Sequence, residues 1–221
     1  MARALVIGSS GGIGNALLGE VKSRGYEVVG VSRTVDDLDI TSEGSIQRVL
    51  GQLTGPFELV VVATGALVVD GNKPEKTIKA LSSDALIGQF ATNALGPALL
   101  LKHCLTLLPR DAPSKFAVLS ARVGSIGDNH IGGWHSYRAS KLALNQIIHG
   151  AAIELARSHP QCICACLHPG TVETAFTADY AKTHKTVPPA QAARNLIDVV
   201  EGLELAQSGG FFDYAGEAVP W

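Results

Sequence analysis

The chain has 221 residues, 46% of them hydrophobic, enough for one α/β domain with a large core. Its 18 Lys and Arg stand against 20 Asp and Glu, a net charge of -2 without a basic block, which excludes the electrostatic footprint of a nucleic-acid or anionic-membrane binder. No apolar run approaches the ~18 residues of a membrane-spanning helix, because Lys102 and His103 break the richest stretch at Leu99, Leu100 and Leu101, and a strand expected from Arg3 leaves no room for a signal peptide, so a cytoplasmic location is expected.

The first predicted strand, Ala4 to Ile7, feeds Gly8-Ser9-Ser10-Gly11-Gly12-Ile13-Gly14, after which a helix from Asn15 to Arg24 is closed by Gly25. A glycine-rich turn between strand and helix brings backbone amides and a helix N-terminus to one point. Gly8, Ser10, Gly12, Ile13 and Gly14 are therefore expected to cradle a dinucleotide pyrophosphate. A second strand, Glu27 to Val31, delivers Ser32 and Arg33 where an acidic residue would grip the ribose 2′-hydroxyl of NAD. A hydroxyl and a guanidinium suit a 2′-phosphate instead, and NADP is expected over NAD.

Leu38-Asp39-Ile40 is read as a short third strand at the sheet edge, and Ser42 as the cap of a helix running to Leu53. Leu59 to Val62 forms the next strand. Asp84 to Leu108 reads as one long helix, in which Pro97 removes a backbone donor and predicts a bend or loosened turn. Strands follow at Lys115 to Leu119 and Ile163 to Leu167, with helices from Tyr137 through Ala156 and from Ala190 to Leu203; residues 174–189 form a small loop insertion on the substrate side. This alternation predicts an α/β protein with a single-domain Rossmann fold over residues 1–221, a doubly wound parallel sheet with helices on both faces. Cys162, Cys164 and Cys166 alternate along their strand, about 7 Å between neighbours, too far for easy bridging. Lacking a Cys-x-x-Cys pair, they read as small buried apolar residues, and no metal site is expected.

Tyr137 and Lys141 lie one helical turn apart and share a helix face. An ammonium beside a phenol favours the ionised phenolate, so Lys141 is expected to lower the Tyr137 pKa and suit it to pass a proton to a carbonyl oxygen.

With Gly8, Gly12, Gly14, Asn93, Tyr137 and Lys141 in this order, the chain resembles the short-chain dehydrogenase/reductase family over nearly its full length. Ser120-Ala121-Arg122-Val123-Gly124-Ser125-Ile126, then Gly132-Gly133-Trp134, then Tyr137-Arg138-Ala139-Ser140-Lys141 make it most similar to that family's small C-factor-like and sniffer-like carbonyl reductases. The resemblance implies that Tyr137 gives or takes the proton, that Lys141 also binds the nicotinamide ribose, and that Asn93 holds a water of the proton relay. It implies that Asp39 meets the adenine, with Ile40 lining its pocket. Ala63, Thr64 and Gly65 would touch the cofactor through their backbone, Ala63 standing where the family has a bracing asparagine. Pro169, Gly170, Val172 and Thr174 would form the loop at the nicotinamide carboxamide. The place of the family's catalytic serine is taken by Ala121; Ser120 is expected to supply the hydroxyl, with Ser125 as the alternative.

These readings predict an NADP-dependent oxidoreductase, moving a hydride between NADPH and a small or medium carbonyl or alcohol substrate, with Asn93, Ser120, Tyr137 and Lys141 as catalytic residues. A nucleotide-sensing or signalling protein on the same scaffold is the second reading, kept open by Ala121. A sugar-nucleotide epimerase would need a larger substrate region than the stretch after Thr174. Trp134 and Phe176 are candidate pocket residues, Trp134 equally an anchor for the loop before the active helix, while His130, His135 and His168, near the expected mouth of the site, read as polar loop or core residues. The apolar faces of the two long helices predict a homo-oligomer.

Overall fold

Side chains alternate across a strand with a period of two, so a sheet covered on both faces needs apolar residues at nearly every strand position. The computed structural model, which describes residues 1–174, 177 and 186–221, shows this directly. Its elements are β1 (Arg3–Ile7), α1 (Gly12–Ser23), β2 (Glu27–Val31), α2 (Arg33–Asp36), α3 (Glu43–Leu50), β3 (Leu59–Val62), α4 (Ser83–Phe90), α5 (Gly96–Cys104), β4 (Ser114–Leu119), α6 (His135–Ser158), β5 (Cys162–His168), α7 (Pro189–Gly202) and β6 (Phe211–Asp213). Leu5, Ile7, Val60, Val62, Phe116 and Val118 face one core, filled from α3, α5 and α6 by residues such as Ile46, Leu100 and Leu144. Ala4, Val6, Leu59, Val61, Ala117 and Leu119 face the other, filled from α1 and α7 by Leu17, Val21, Leu196 and Ile197. The four cysteines are free and buried.

The strands form one parallel sheet in the order β2-β1-β3-β4-β5-β6. Chain progression reverses between β1 and β3, which opens a crevice beyond their carboxyl ends, the usual ligand position in such sheets. The segments that leave these ends are the glycine loop, residues 63–65, residues 120–124 and the stretch after His168.

Several expectations need correction. Leu38-Asp39-Ile40 is not a strand: Asp39 Oδ1 accepts from the Thr41 amide at 2.8 Å and the Thr41 hydroxyl at 2.7 Å, a local turn that competes with sheet pairing, and β2 is the edge. The single helix from Asp84 to Leu108 is interrupted by a π-helical turn at Ala91–Leu95 between α4 and α5. Pro97 has no N–H to offer the carbonyl of Asn93, and the widened turn sits at that break. Helix α6 begins at His135, two residues before the expected start, and β6 was not anticipated. The Ser42 cap is present, its hydroxyl accepting from the Ser45 amide.

Candidate active site

A cavity of about 320 Å³ lies at the carboxyl ends of the strands. The glycine loop contributes Gly11, Gly12, Ile13 and Gly14, and β3 hands over Ala63, Thr64 and Gly65. The end of β4 adds Leu119, Ser120 and Ala121, helix α6 adds Tyr137 and Lys141, and the segment beyond β5 adds His168, Pro169, Gly170, Val172, Thr174 and Thr177. The glycines are required by contact: a Cβ on Gly14 would stand 2.0 Å from the Gly8 carbonyl oxygen, and one on Gly12 would stand 2.7 Å from Thr174 Cγ2. Helix α1 starts with no side-chain cap and no acidic residue in its first turn. The amides of Gly12, Ile13 and Gly14 precede the first intrahelical bond and face the cleft as anion donors.

Tyr137 is 5% exposed and Lys141 3%, both carried by α6 onto the floor of the cleft. Lys141 Nζ donates to the Leu119 carbonyl at 2.9 Å and lies 6.0 Å from the centroid of the Tyr137 ring. Burial pushes the Lys141 amine down to about 8. Burial also pushes the Tyr137 phenol up, so the expected lowering is reversed. Removing a phenolate from water outweighs the attraction of an ammonium whose own solvation is poor and whose proton is partly committed to Leu119. The phenol is thereby held protonated.

Asn93 is fully buried and lies behind the cleft wall. Its Oδ1 accepts from the Ala66 amide at 2.9 Å, and its Nδ2 donates to the Ala66 carbonyl at 2.9 Å and to Gln89 Oε1 at 2.5 Å. Gln89 Nε2 in turn donates to the Leu67 carbonyl at 2.9 Å. The side chain thus clamps the chain just past Gly65 instead of reaching into the cavity. Ser120 lines the cavity with Ala121 beside it, and its hydroxyl is 2.6 Å from Asn145 Oδ1. Ser125 does not line it; its hydroxyl oxygen accepts from the Asp128 amide at 3.0 Å.

The residues expected at the adenine end form a separate group beyond β2. The loop joins them, since the Gly8 and Ser9 amides both donate to the Val31 carbonyl. The Ser32 hydroxyl caps α2 by accepting from the Val35 amide at 3.3 Å, while Arg33 is exposed on the first turn of that helix. Asp39 Oδ1 is engaged by Thr41, whose hydrogen bonds lower its pKa, and Ile40 packs on Gly96. Gly8, Ser10, Ser32, Arg33, Asp39 and Ile40 are not among the residues lining the cavity.

Gly11, Leu119 and Thr177 line it without having been expected to, and His168, expected near its mouth as a polar loop or core residue, lines it as well. His168 had a readable signal, ending a strand directly before Pro169. Its Nδ1 is buried without a hydrogen-bond partner, and its pKa is pushed down to about 4 by burial and by Arg122, against the opposing pull of Asp213 and Asp128. Arg122 itself pairs with Asp128 at 3.0 Å and with Asp213 at 3.7 Å. Trp134 meets the Tyr137 ring edge-on, centroids 6.2 Å apart, stands at the N-cap of α6 with φ 53°, and is not among the residues lining the cavity; Phe176 lies outside the described residues.

Among curated proteins, the chain is 29% identical to the 1-hydroxy-2-glutathionyl-2-methyl-3-butene dehydrogenase of Rhodococcus sp. (strain AD45), each chain being covered in full. It is 36% identical to the C-signal protein of Myxococcus xanthus over 60% of this chain and 76% of that one. Among solved structures, a short-chain dehydrogenase/reductase of Burkholderia multivorans with bound NADP matches 100% of this chain and 99% of its own at a TM-score of 0.82 and 27% identity. The carbonyl reductase Sniffer of D. melanogaster matches both chains in full at a TM-score of 0.81 and 21% identity, a likeness of fold. The family model described as short chain dehydrogenase matches residues 2–185, and with the glycine loop, the Tyr137–Lys141 helix and the parallel sheet already in place, the chain belongs to the short-chain dehydrogenase/reductase family.

Proposed function

We propose that this protein is an NADPH-dependent carbonyl reductase acting on small or medium ketones, aldehydes or the corresponding alcohols. The observation that carries the reading is a single cleft shared by the open amides of α1, the Tyr137 phenol and the Lys141 amine. The residues present suit a dinucleotide: the first turn of α1 offers unpaired N–H groups, the buried Thr64 hydroxyl at the cleft wall has no partner, and among the described residues no carboxylate lines the cavity. Gly12, Ile13 and Gly14 would hold the pyrophosphate, Ala63 to Gly65 and Pro169 to Thr174 the nicotinamide half, and Ser32 with Arg33 the 2′-phosphate beyond β2. The bound, reduced nicotinamide supplies the hydride.

The chain's own residues handle the proton and the developing charge. Tyr137 Oη, kept protonated by burial, gives its proton to the substrate oxygen. Lys141, cationic below about pH 8, stabilises the phenolate left behind. Asn93 fixes the chain after Gly65. Ser120 supplies the second donor. Asn145 Nδ2 is buried without a partner. Turning that amide by half a turn places its N–H on Ser120 Oγ and releases the serine proton toward the cleft. The test is NADPH consumption across a panel of carbonyl compounds, with Tyr137→Phe as control. The variant should bind NADPH as before and lose most turnover; undiminished turnover would remove Tyr137 from the mechanism.

A second reading, a nucleotide-sensing or signalling protein with weak or no turnover, is favoured by Ala121, which carries no hydroxyl at the family's serine position, and by the name of the Myxococcus relative. Tight NADPH binding without turnover on any member of the panel would select it.

A further inference from the structure

Helix α6 carries both Tyr137 and Lys141, yet its start is chemically weak. Its N-cap is Trp134, in a left-handed conformation, with no side-chain cap and no acidic residue in the first turn. A helix start leaves four amides without internal partners, and one is normally met by a Ser, Thr, Asp or Asn oxygen. Here the acceptor comes from the loop after β3. Glu75, 6% exposed, accepts from the Ser136 amide at Oε2, 3.2 Å, and from the Ser136 hydroxyl at Oε1. Its backbone carbonyl accepts from the Trp134 amide. A Cβ on Gly133 would stand 3.4 Å from the carbonyl oxygens of Glu75 and Lys76, so the two segments lie in direct contact.

The other end of this loop is held as firmly, by Asn93 on Ala66 and Gln89 on the Leu67 carbonyl. The loop therefore spans from the end of β3, at the cleft wall, to the first turn of the helix that bears the phenol. We propose that Glu75 is a positioning residue for the proton donor: its carboxylate caps α6 from a distant segment and thereby sets where the Tyr137 hydroxyl stands relative to the cleft. Ser136 is the second helical position and Tyr137 the third, so a shift of the first turn moves the phenol directly. A carboxylate also suits the positive end of the helix dipole. The charge is stable: burial would raise the Glu75 pKa, but the hydrogen bonds from Ser136 and the nearby His135 carry it below the ordinary carboxylate value.

The inference rests on Tyr137 being the proton donor. It is tested in the full chain with Glu75→Ala, Glu75→Gln and Ser136→Ala, measuring kcat at saturating NADPH and carbonyl, NADPH Kd by fluorescence, and Tm. Glu75→Ala should lower kcat about tenfold or more while Kd stays within about twofold, because small misplacement of a reacting group is costly to chemistry and not to binding. Glu75→Gln, which keeps an oxygen for the Ser136 amide, should recover most of kcat. Unchanged kcat in folded Glu75→Ala, or a Kd that rises in parallel with the loss of kcat, would overturn the proposal. If Glu75→Ala does not fold, Ser136→Ala decides, with kcat expected to fall about threefold at constant Kd, the scale of one lost hydrogen bond; an unchanged kcat there overturns it. An active Tyr137→Phe would refute the proton-donor reading itself, whereas an inactive Tyr137→Phe beside a fully active Glu75→Ala would refute this inference alone.

Discussion

At the scale of single residues, the proposed reductase chemistry turns on position 121, where Ala121 offers no hydroxyl to a substrate oxygen. One oxyanion donor is worth roughly 10²–10³ in kcat, so a site lacking the serine hydroxyl must recover it from a neighbour or run slowly. Ser120 lines the same cleft and stands 2.6 Å from an Asn145 amide that can accept from it or donate to it. Ser120→Ala is expected to lower kcat about 10²-fold with little change in NADPH affinity. Adding Ala121→Ser to that variant should restore activity, as stopped-flow NADPH oxidation would show; no loss in Ser120→Ala would leave catalysis to Tyr137 and the cofactor. His168 makes a separate prediction about pH. Its folded-state pKa of about 4 lies below the ordinary 6.5, so its burial as the neutral ring favours the folded state fully above pH 6.5 and that contribution is lost as pH falls toward 4. The facing charges are Arg122, Asp213 and Asp128. Across that window Tm should fall further in the wild type than in His168→Gln; parallel curves would show that the imidazole is not the group being charged.

At the scale of elements, the five longer strands and the glycine loop were legible because buried parallel strands leave unbroken apolar runs and because only glycine satisfies the close approach of residue 14 to the Gly8 carbonyl. The helical turn joining Tyr137 to Lys141 was legible for the same local reason. The strand at Phe211–Asp213 was not, since three residues carry no periodicity and its pairing comes from β5, more than forty residues upstream. Asp39 misled because a hydrogen bond two residues along made a turn where propensity suggested a strand. The Tyr137 pKa misled because spacing shows that an ammonium is near but not how dry both groups are. Glu75 was invisible, its partner lying 61 residues away. The π turn at Ala91–Leu95 has a consequence of its own: it places the Asn93 side chain against Ala66, tying α4 to the end of β3. Asn93→Ala should leave the part-buried amide and carbonyl of Ala66 without their side-chain partner, lowering stability by about 1–3 kcal/mol and weakening NADPH binding together with turnover. Urea unfolding and fluorescence titration check this, and a loss of turnover alone would instead point to a direct part in the proton relay.

At the scale of the whole molecule, both layers of helices complete the core, yet one side of the sheet keeps apolar residues in water. Helices α4 and α6 pack against each other, and on them Ile87 is 67% exposed, Ile153 62%, Ile147 38% and Phe90 37%. Scattered apolar residues are ordinary on a surface, but two adjoining helices that carry four large ones suit a self-complementary contact, the commonest form of which is a two-fold dimer. We expect a dimer or a tetramer built on this side, which would make α6 both the helix of the proposed proton donor and an interface. Light scattering at tens of micromolar protein should give at least twice the mass of 23.0 kDa. Ile87→Lys with Ile153→Lys should reduce it to one chain, because two ammonium groups facing their symmetry mates would have to be desolvated together. Since α6 also positions Tyr137 and Lys141, separation should cost turnover as well as mass. A wild-type protein that remains a monomer at that concentration would show that these side chains face only solvent, and the active helix would then depend on its Glu75 cap and its own core contacts for rigidity.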